Sequence, residues 1–269
     1  MAERVLGIDI DNTLARATDM MPTLAGIYNE LLNLGMTPDE IEAARHYQRT
    51  FEIPQIRAFI QRGEDQRTLY YDARKEISAN PHIYLDLESL PLAQEGVRQF
   101  IEQFGGPVFF AGYWTVRSQA NAPATGQWLN NHRYPHPERL TACESPKDKL
   151  LRLARLTIHH NQYFTTPPGL LLIDDSADAL GEAAIQLTLH DQFETRARRS
   201  GLLPGDYPIK ELFRKSLVVG FGKDEKTTVY PAARLRIVSL PDWNPDTLAH
   251  VIPFIQTELG KPNDNRLDT

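Results

Sequence analysis

Two carboxylates stand at the end of the first apolar run in the chain. The run Val5–Ile8 leads into Asp9 and Asp11, and Asn12 follows them. If the run is a β-strand, its alternation places Asp9 and Asp11 on one face, and Asn12 supplies turn chemistry. Two like charges this close repel unless a cation neutralises them or one of them stays protonated. Carboxylate oxygens are the ligands that Mg²⁺ prefers, so the pair predicts a divalent metal at the end of this strand.

Two later strands are also predicted to end in polar groups. The aromatic run from Val108 ends at Thr115, and the run from Leu170 ends at Asp174 and Asp175. Strands alternate with helices after residue 90, which is typical of a parallel α/β sheet. Ligands of such sheets bind beyond the carboxyl ends of the strands, so we expect these groups at one edge.

A lysine at a predicted helix start completes the set. Ser145 and Pro146 open a helix, and Lys147 lies in its first turn. Each of these groups has a role in phosphoryl transfer. One carboxylate can attack phosphorus, and a second can move a proton to or from the leaving oxygen. The hydroxyl of Thr115 and the ammonium of Lys147 can bind the remaining phosphoryl oxygens beside the metal.

Four segments in this order resemble the motifs of the haloacid dehalogenase (HAD) superfamily of Mg²⁺-dependent phosphohydrolases. Ile8–Leu14 resembles the first motif and Thr115 the second, while Pro146–Lys149 resembles the third and Ile173–Asp175 the fourth. The likeness covers roughly residues 4–16 and 90–180. It implies a Rossmann-like parallel sheet, the HAD-like core.

The resemblance also implies a role for each acid. Asp9 is the nucleophile that becomes phosphorylated, and Asp11 is the general acid/base, whose backbone carbonyl also reaches the metal. Asp174 is a metal ligand, and Asp175 is a ligand or holds metal-bound water. An aspartate at position 11 favours phosphatase or phosphomutase chemistry over the dehalogenase branch, which lacks that acid.

Three residue assignments stay open on the sequence. Lys147 is preferred over Lys149 for the site because Leu150 and Leu151 follow it at helical spacing. Arg117 binds substrate and phosphate, or it pairs with a surface acid. Asp178 faces the site, or it is an acid at a helix N-terminus.

The distance from Asp11 to Thr115 exceeds what one strand–helix–strand unit needs. Residues 17–88 read as mainly helical, and we expect them to form an α-helical cap over a core of residues 1–16 and 89–269. A capping box is predicted at Thr37-Pro38-Asp39-Glu40. The cap has arginines interleaved with aromatic residues, which suits an anionic substrate such as a nucleotide, but acidic residues balance them and favour an ordinary charged face. We expect strands at Ile185–Leu189, Leu217–Gly222 and Leu235–Leu240, and a possible insertion or irregular segment within residues 191–235.

Composition narrows the class of partner and compartment. The chain has 29 Lys and Arg against 35 Asp and Glu, a formal charge of −6, which argues against dedicated nucleic-acid binding. No apolar stretch reaches the ~20 residues of a membrane span. The first strand leaves no room for a signal peptide, and the single Cys143 cannot form an internal disulfide, so a cytoplasmic protein is expected.

The sequence therefore predicts a Mg²⁺-dependent phosphatase that hydrolyses a small phosphomonoester, such as a sugar phosphate or a nucleotide, through an aspartyl-phosphate. Two alternatives remain: a phosphotransferase or phosphomutase of the same fold, and a non-catalytic binding module that retains it. The physiological substrate and the oligomeric state are left open.

Overall fold

The computed structural model describes residues 4–47, 49–78, 80–160, 169–189, 209–222, 228–230, 232–233 and 235–260. Within them the chain forms a seven-stranded sheet with helices on both faces, which confirms the predicted α/β class. The strands are β1 (Arg4–Ile8), β2 (Phe110–Thr115), β3 (Leu140–Ala142), β4 (Gly169–Asp174), β5 (Leu217–Phe221), β6 (Thr228–Tyr230) and β7 (Leu235–Leu240). The α-helices are α1 (Met21–Leu32), α2 (Pro38–Glu42), α3 (Pro54–Ile60), α4 (Glu64–Ser78), α5 (His82–Leu85), α6 (Ala93–Gln103), α7 (Ala122–Asn131), α8 (Pro146–His160), α9 (Ala177–Leu189), α10 (Ile209–Arg214) and α11 (Pro245–Gly260).

The strand order places the polar strand ends side by side. It runs β3-β2-β1-β4-β5-β7-β6, and every neighbouring pair is parallel except β6 with β7. Strand β1 lies between β2 and β4, so the carboxyl ends of these three strands meet at one edge of the sheet.

Both faces of the sheet are covered, and β4 shows why. Leu171 and Ile173 of β4 pack into a core that α6, α7 and α11 complete on one face. Leu170 and Leu172 pack into the opposite core, which α8, α9 and α10 complete. Side chains alternate along a strand, so an uninterrupted apolar run is the expected pattern for a strand buried on both faces.

Residues 17–88 are mainly helical and have a hydrophobic cluster of their own. Buried members include Tyr28, Ile53, Ile56 and Tyr70, which come from α1, α3, α4 and the turn before α3. The capping box at Thr37 is present as the sequence predicts, with Glu40 accepting a hydrogen bond from the backbone N–H of Thr37. The stretch of chain that leads into this segment lies beside the stretch that leads out of it.

Two backbone hydrogen bonds join the chain before the helical segment to the chain after it. The N–H of Arg16 donates to the carbonyl of Glu88 at 2.9 Å, and the N–H of Leu90 donates to the carbonyl of Leu14 at 2.7 Å. The N-terminal and C-terminal ends of the helical segment are thus held together within a few residues of Asp11. Among the described residues, no helix combines the length and the apolar character that crossing a bilayer requires.

The sequence expectations about the C-terminal half have different outcomes. Ile185–Leu189 is not a strand but the last turns of α9, whose apolar stripe through Ala177, Leu180, Ala184 and Leu187 faces the sheet. The strands expected at Leu217–Gly222 and Leu235–Leu240 are present as β5 and β7, and the possible irregular segment at residues 191–235 also contains α10 and β6. The expectation for residues 191–208 lies outside the described residues.

Candidate active site

Asp9 follows β1 directly and is held at the middle of the sheet edge. Its backbone N–H donates to the carbonyl of Ile173 at 2.8 Å, so the main chain is still tied to β4 where the side chain begins. The residue is only 5% exposed. Asn12 then adopts a φ of 56°, in the left-handed region that asparagine tolerates, and the chain turns away from the sheet. Asp9 is thus buried at the sheet edge, while Asp11 at the start of the turn is partly exposed.

Lys149 of α8 reaches the buried carboxylate. Its Nζ donates to Oδ1 of Asp9 at 2.5 Å and to Oδ2 of Asp174 at 2.7 Å, and the lysine is 1% exposed. Helix α8 packs closely on β1 at Gly7, where an added Cβ would lie 3.1 Å from the side chain of Leu153. An alanine at position 7 would therefore require this flexible side chain to shift by a few tenths of an ångström.

The structure corrects the preference for Lys147. The buried face of α8 runs through Lys149, Leu150, Leu153 and Thr157, which follow one another at helical spacing. Lys147 lies two residues before Lys149, about 200° around the helix, and is exposed. Its position in the capped first turn was correct, but the first turn alone does not fix which side of the helix faces the sheet. The spacing from Lys149 to Leu153 and Thr157 is the signal that could have distinguished the two lysines.

Asp174 and Asp175 end β4 beside Asp9. Oδ1 of Asp174 accepts hydrogen bonds from the backbone N–H and the hydroxyl of Ser176, at 2.8 and 2.5 Å. Oδ2 of Asp175 accepts from the side-chain amide of Asn12 at 3.2 Å. Ser176 and Asn12 were not predicted as site residues, although a serine two residues after an aspartate is a common turn signal. Both carboxylates are thus fixed in direction by residues of the adjoining turns.

Asp11 occupies the other side of the site, where Arg117 binds it. The guanidinium donates from Nη2 to Oδ1 of Asp11 at 2.6 Å and from Nε to both carboxylate oxygens at 3.1 Å. The hydroxyl of Thr115 lies 3.5 Å from Oδ2 of Asp11 and accepts the backbone N–H of Arg117 at 3.2 Å. The arginine side chain is 2% exposed and that of Asp11 is 32% exposed. Of the two carboxylates Asp9 and Asp11, Asp11 is therefore the one that solvent and ligands can reach.

Arg117 and Asp178 both have protein partners in the structure. The remaining terminal nitrogen of Arg117 donates to the hydroxyl of Thr125 at 3.2 Å, so all three guanidinium nitrogens have protein partners. The acid that Arg117 binds is the partly exposed Asp11 of the site, and a substrate-binding role for Arg117 stays a prediction. Asp178 is exposed on α9 and accepts a hydrogen bond from the hydroxyl of Tyr230 at 3.3 Å.

Three carboxylates are close enough to share a cation. Oxygen atoms of Asp9, Asp174 and Asp175 lie within 4.8 Å of one another, and all are hard ligands of the kind that Mg²⁺ binds. The side chain of Asp11 is outside this group and is paired with Arg117, and the metal contact that the resemblance implies for its backbone carbonyl stays a prediction. With every group ionised, four carboxylates face two cationic side chains, Lys149 and Arg117, and two negative charges are left unbalanced. A divalent cation fits this donor set and this charge.

Burial and the crowding of carboxylates also raise the pKa values of acids in the cluster. Burial raises the pKa of Asp9 well above its usual range, the Lys149 ammonium opposes this rise, and the other carboxylates add to it. Burial, followed by the charge of Asp174, raises the pKa of Asp175 to about 6. Burial alone would lower the pKa of Lys149, but the carboxylates of Asp174 and Asp9 raise it, so the lysine stays charged. These acids crowd together at a cost that a bound cation would reduce.

Comparison with known proteins adds little to the site. No family model and no curated protein matches the chain. A solved structure described as a crystal structure analysis of a dehalogenase aligns with 94% of this chain and 96% of its own, at 14% identity and a TM-score of 0.40. So distant a likeness assigns neither activity nor substrate. The α/β assignment rests on the sheet itself.

Proposed function

We propose that the protein is a Mg²⁺-dependent phosphatase that hydrolyses small phosphomonoesters through an aspartyl-phosphate on Asp9. The observation that supports this most directly is the position of Asp9, buried at the carboxyl edge of the sheet with Lys149 on one oxygen. Asp11 stands two residues later and is partly open to solvent. A buried, oriented carboxylate beside a second, accessible one suits nucleophilic attack followed by proton transfer.

In this proposal the side chains of Asp9, Asp174 and Asp175 would hold the metal, together with the backbone carbonyl of Asp11 that the family resemblance implies. When bound, Mg²⁺ draws charge from the phosphoryl oxygens of the ester. Its charge also favours the ionised form of Asp9, the form that can act as a nucleophile.

The chain's own residues perform both half-reactions. An oxygen of Asp9 bonds to phosphorus while the bond from phosphorus to the alcohol oxygen breaks, and Asp11 gives that oxygen its proton. Asp11, now ionised, takes a proton from water as the water oxygen bonds to phosphorus and the bond to Asp9 breaks. Inorganic phosphate leaves, and Asp9 and the protonated Asp11 are restored. Lys149 holds Asp9 in place and offsets negative charge at the phosphoryl group.

A panel of sugar phosphates and nucleotides, assayed for phosphate release with Mg²⁺ and with EDTA, tests the proposal. We expect release that EDTA abolishes, and a loss of at least about 1,000-fold in kcat for Asp9→Asn. Asp178→Asn is the matched control, because this exposed aspartate lies outside the cluster, and its activity should stay within about twofold. Turnover without metal, or full activity in Asp9→Asn, would contradict the proposal.

Transfer to water and transfer to another alcohol share the first half-reaction. Product analysis with an added acceptor alcohol separates a phosphatase from a phosphotransferase or phosphomutase. A phosphatase gives inorganic phosphate as the main product at every acceptor concentration. A protein that binds the esters, detected by calorimetry, without turning over any of them would instead be a binding module.

A further inference from the structure

An aromatic ring of the helical segment, that of Tyr84 on α5, lies against the site. The guanidinium carbon of Arg117 lies 4.5 Å from the centre of this ring, within cation–π range. Tyr84 packs against both the core cluster on the α6 face of the sheet and the cluster inside residues 17–88. The ring therefore lies at the junction between the helical segment and the core, directly against the arginine that binds Asp11.

The loop that carries Arg117 is tied to the helical segment at further points. Asn121, fully buried in the same loop, donates its side-chain amide to the carbonyl of Ser78 at the end of α4. Trp128 of α7 donates its indole N–H to the carbonyl of Leu87 at 2.7 Å. The stacking of Tyr84 on Arg117 is thus part of a set of contacts between residues 78–87 and the chain after β2.

On this geometry we infer that Arg117 is a positioning residue that aims the carboxylate of Asp11, and that Tyr84 of the helical segment holds Arg117 in that position. The inference rests on the proposed function, in which Asp11 moves the proton of the leaving alcohol. It reassigns Arg117 from phosphate binding to the orientation of the acid. It also assigns the helical segment an indirect part in the chemistry, which acts through Arg117, besides any contact it makes with substrate.

Bidentate pairing is the physical reason for this assignment. A guanidinium offers its N–H groups in a rigid fork, and two of its nitrogens share the Asp11 carboxylate. The fork is itself fixed by Thr125 on one side and by the Tyr84 ring on its face. Because the arginine is buried and the aspartate is one-third exposed, the pair directs the acid outward and keeps the arginine away from ligands.

The test compares two esters that differ in their need for an acid. An alkyl phosphate needs a proton on its leaving oxygen, whereas 4-nitrophenyl phosphate releases a stable phenolate without one. The quantity to measure is kcat/KM with saturating Mg²⁺, since it reports the steps up to departure of the alcohol. We expect Arg117→Met to lose about 100-fold on the alkyl ester and less than about tenfold on the aryl ester. Asp11→Asn should show the same preference, and the double variant no further loss.

Variants of the ring test the second half of the inference. Tyr84→Leu should shift the ratio between the two esters in the same direction as Arg117→Met, by about tenfold, while Tyr84→Phe keeps the wild-type ratio because it keeps the ring. Tyr71→Leu, an exposed tyrosine of the same segment, and Arg152→Met, an arginine paired with Asp148 on the surface, are the matched controls. Equal losses on both esters, or losses that add to those of Asp11→Asn, would show phosphate binding or a purely structural role and overturn the inference.

A second measurement separates this inference from the proposed function. The Nε–H of Arg117, observed by NMR in ¹⁵N-labelled protein, should resonate apart from exposed arginines and exchange slowly, because it donates to Asp11. We expect the resonance to shift in Asp11→Asn and to broaden or exchange rapidly in Tyr84→Leu, with Tyr71→Leu unchanged. An unchanged resonance in Tyr84→Leu overturns the inference. If the wild-type protein releases no phosphate from any ester, the proposed function fails, while this measurement still decides the role of Tyr84.

Discussion

Two cation–carboxylate groups flank the site, and they differ in burial and in what supports them. The lysine triad (Asp9, Lys149 and Asp174) has side chains 7%, 2% and 0% exposed, and it is built on strands and a helix of the core. In the arginine pair (Asp11 and Arg117), the aspartate side chain is 32% exposed and the arginine packs against the helical segment. The triad is suited to hold a nucleophile still. The pair is suited to present an acid that substrate and the helical segment can reach.

The largest effect is expected from Lys149→Met, which leaves two buried carboxylates without their cation. We expect the free energy of unfolding, measured with urea in EDTA, to fall by about 3–5 kcal/mol. Lys147→Met is the control, because that exposed lysine lies on the opposite side of the same helix, and it should change stability by less than about 0.5 kcal/mol. If Lys149→Met does not fold, adding Asp174→Asn should restore folding, since it removes one of the two uncompensated charges. Equal effects of the two lysine substitutions would contradict the geometry of α8.

A smaller loss is expected when the arginine pair is broken. Arg117→Met leaves Asp11 unpaired, but water can solvate a carboxylate that is already one-third exposed. We expect urea unfolding to show a loss of about 1–3 kcal/mol, from the charged hydrogen bonds and the packing on Tyr84. Arg152→Met, which breaks only a surface pair, should cost less than about 0.5 kcal/mol. A loss as large as that of Lys149→Met would mean that the two groups do not differ as described.

The raised pKa of Asp175 should make the stability of the protein depend on pH and on bound metal. Burial and the charge of Asp174 raise its pKa from 3.8 to about 6, so the folded state binds this proton more tightly than the unfolded state. Its contribution to stability is complete below about pH 4 and is lost as the pH rises through 6. In EDTA, we expect wild-type protein to lose more stability than Asp175→Asn between about pH 4.5 and 7. Saturating Mg²⁺ should reverse the sign, because it favours the ionised carboxylate; identical pH profiles of the two proteins would argue against this account.

The alkylation rate of Cys143 compares how the lysine triad and the arginine pair affect packing near α8. The thiol is 4% exposed, and it packs in the cluster that contains Leu150 and Leu153 of α8. Burial, followed by the charge of Asp148, raises its pKa to about 11, so the reactive thiolate is scarce at neutral pH. We expect slow alkylation of the folded protein, about tenfold faster in Lys149→Met and nearly unchanged in Arg117→Met. Faster alkylation of Cys143 in Arg117→Met alone would contradict this expectation, because the arginine pair and not the lysine triad would then protect the thiol.

Local patterns predicted the parts of the fold that local physics decides. The capping box at Thr37 needs only residues within one turn, and it forms as predicted. The apolar run of β4 is buried on both faces, as its composition indicates. Ile185–Leu189 misled because alternating apolar residues occur within a helix stripe as well as in a strand, and only the longer spacing back to Ala177 distinguishes the two.

The site was predictable to the extent that strand ends define it. Asp9 and Asp175 directly follow strands, Thr115 and Asp174 are the last residues of theirs, and parallel neighbours bring such ends together. The choice between Lys147 and Lys149 depended on how α8 rotates against the sheet, which tertiary packing sets. The partnership of Asp11 with Arg117 spans 106 residues, and the ring of Tyr84 completes it from a third segment. No local spacing carries that information.

The central claim is that Asp9 accepts the phosphoryl group, and trapping it is the most direct measurement. Asp11→Asn protein lacks the base that activates water, so the covalent form should accumulate when it is mixed with Mg²⁺ and 4-nitrophenyl phosphate and quenched in acid. We expect mass spectrometry of the digested protein to find one phosphoryl group on the peptide that contains Asp9. The double variant, with both Asp9→Asn and Asp11→Asn, should have none. Release of nitrophenol with no phosphorylated Asp9, or with the phosphoryl group on another residue, would contradict it.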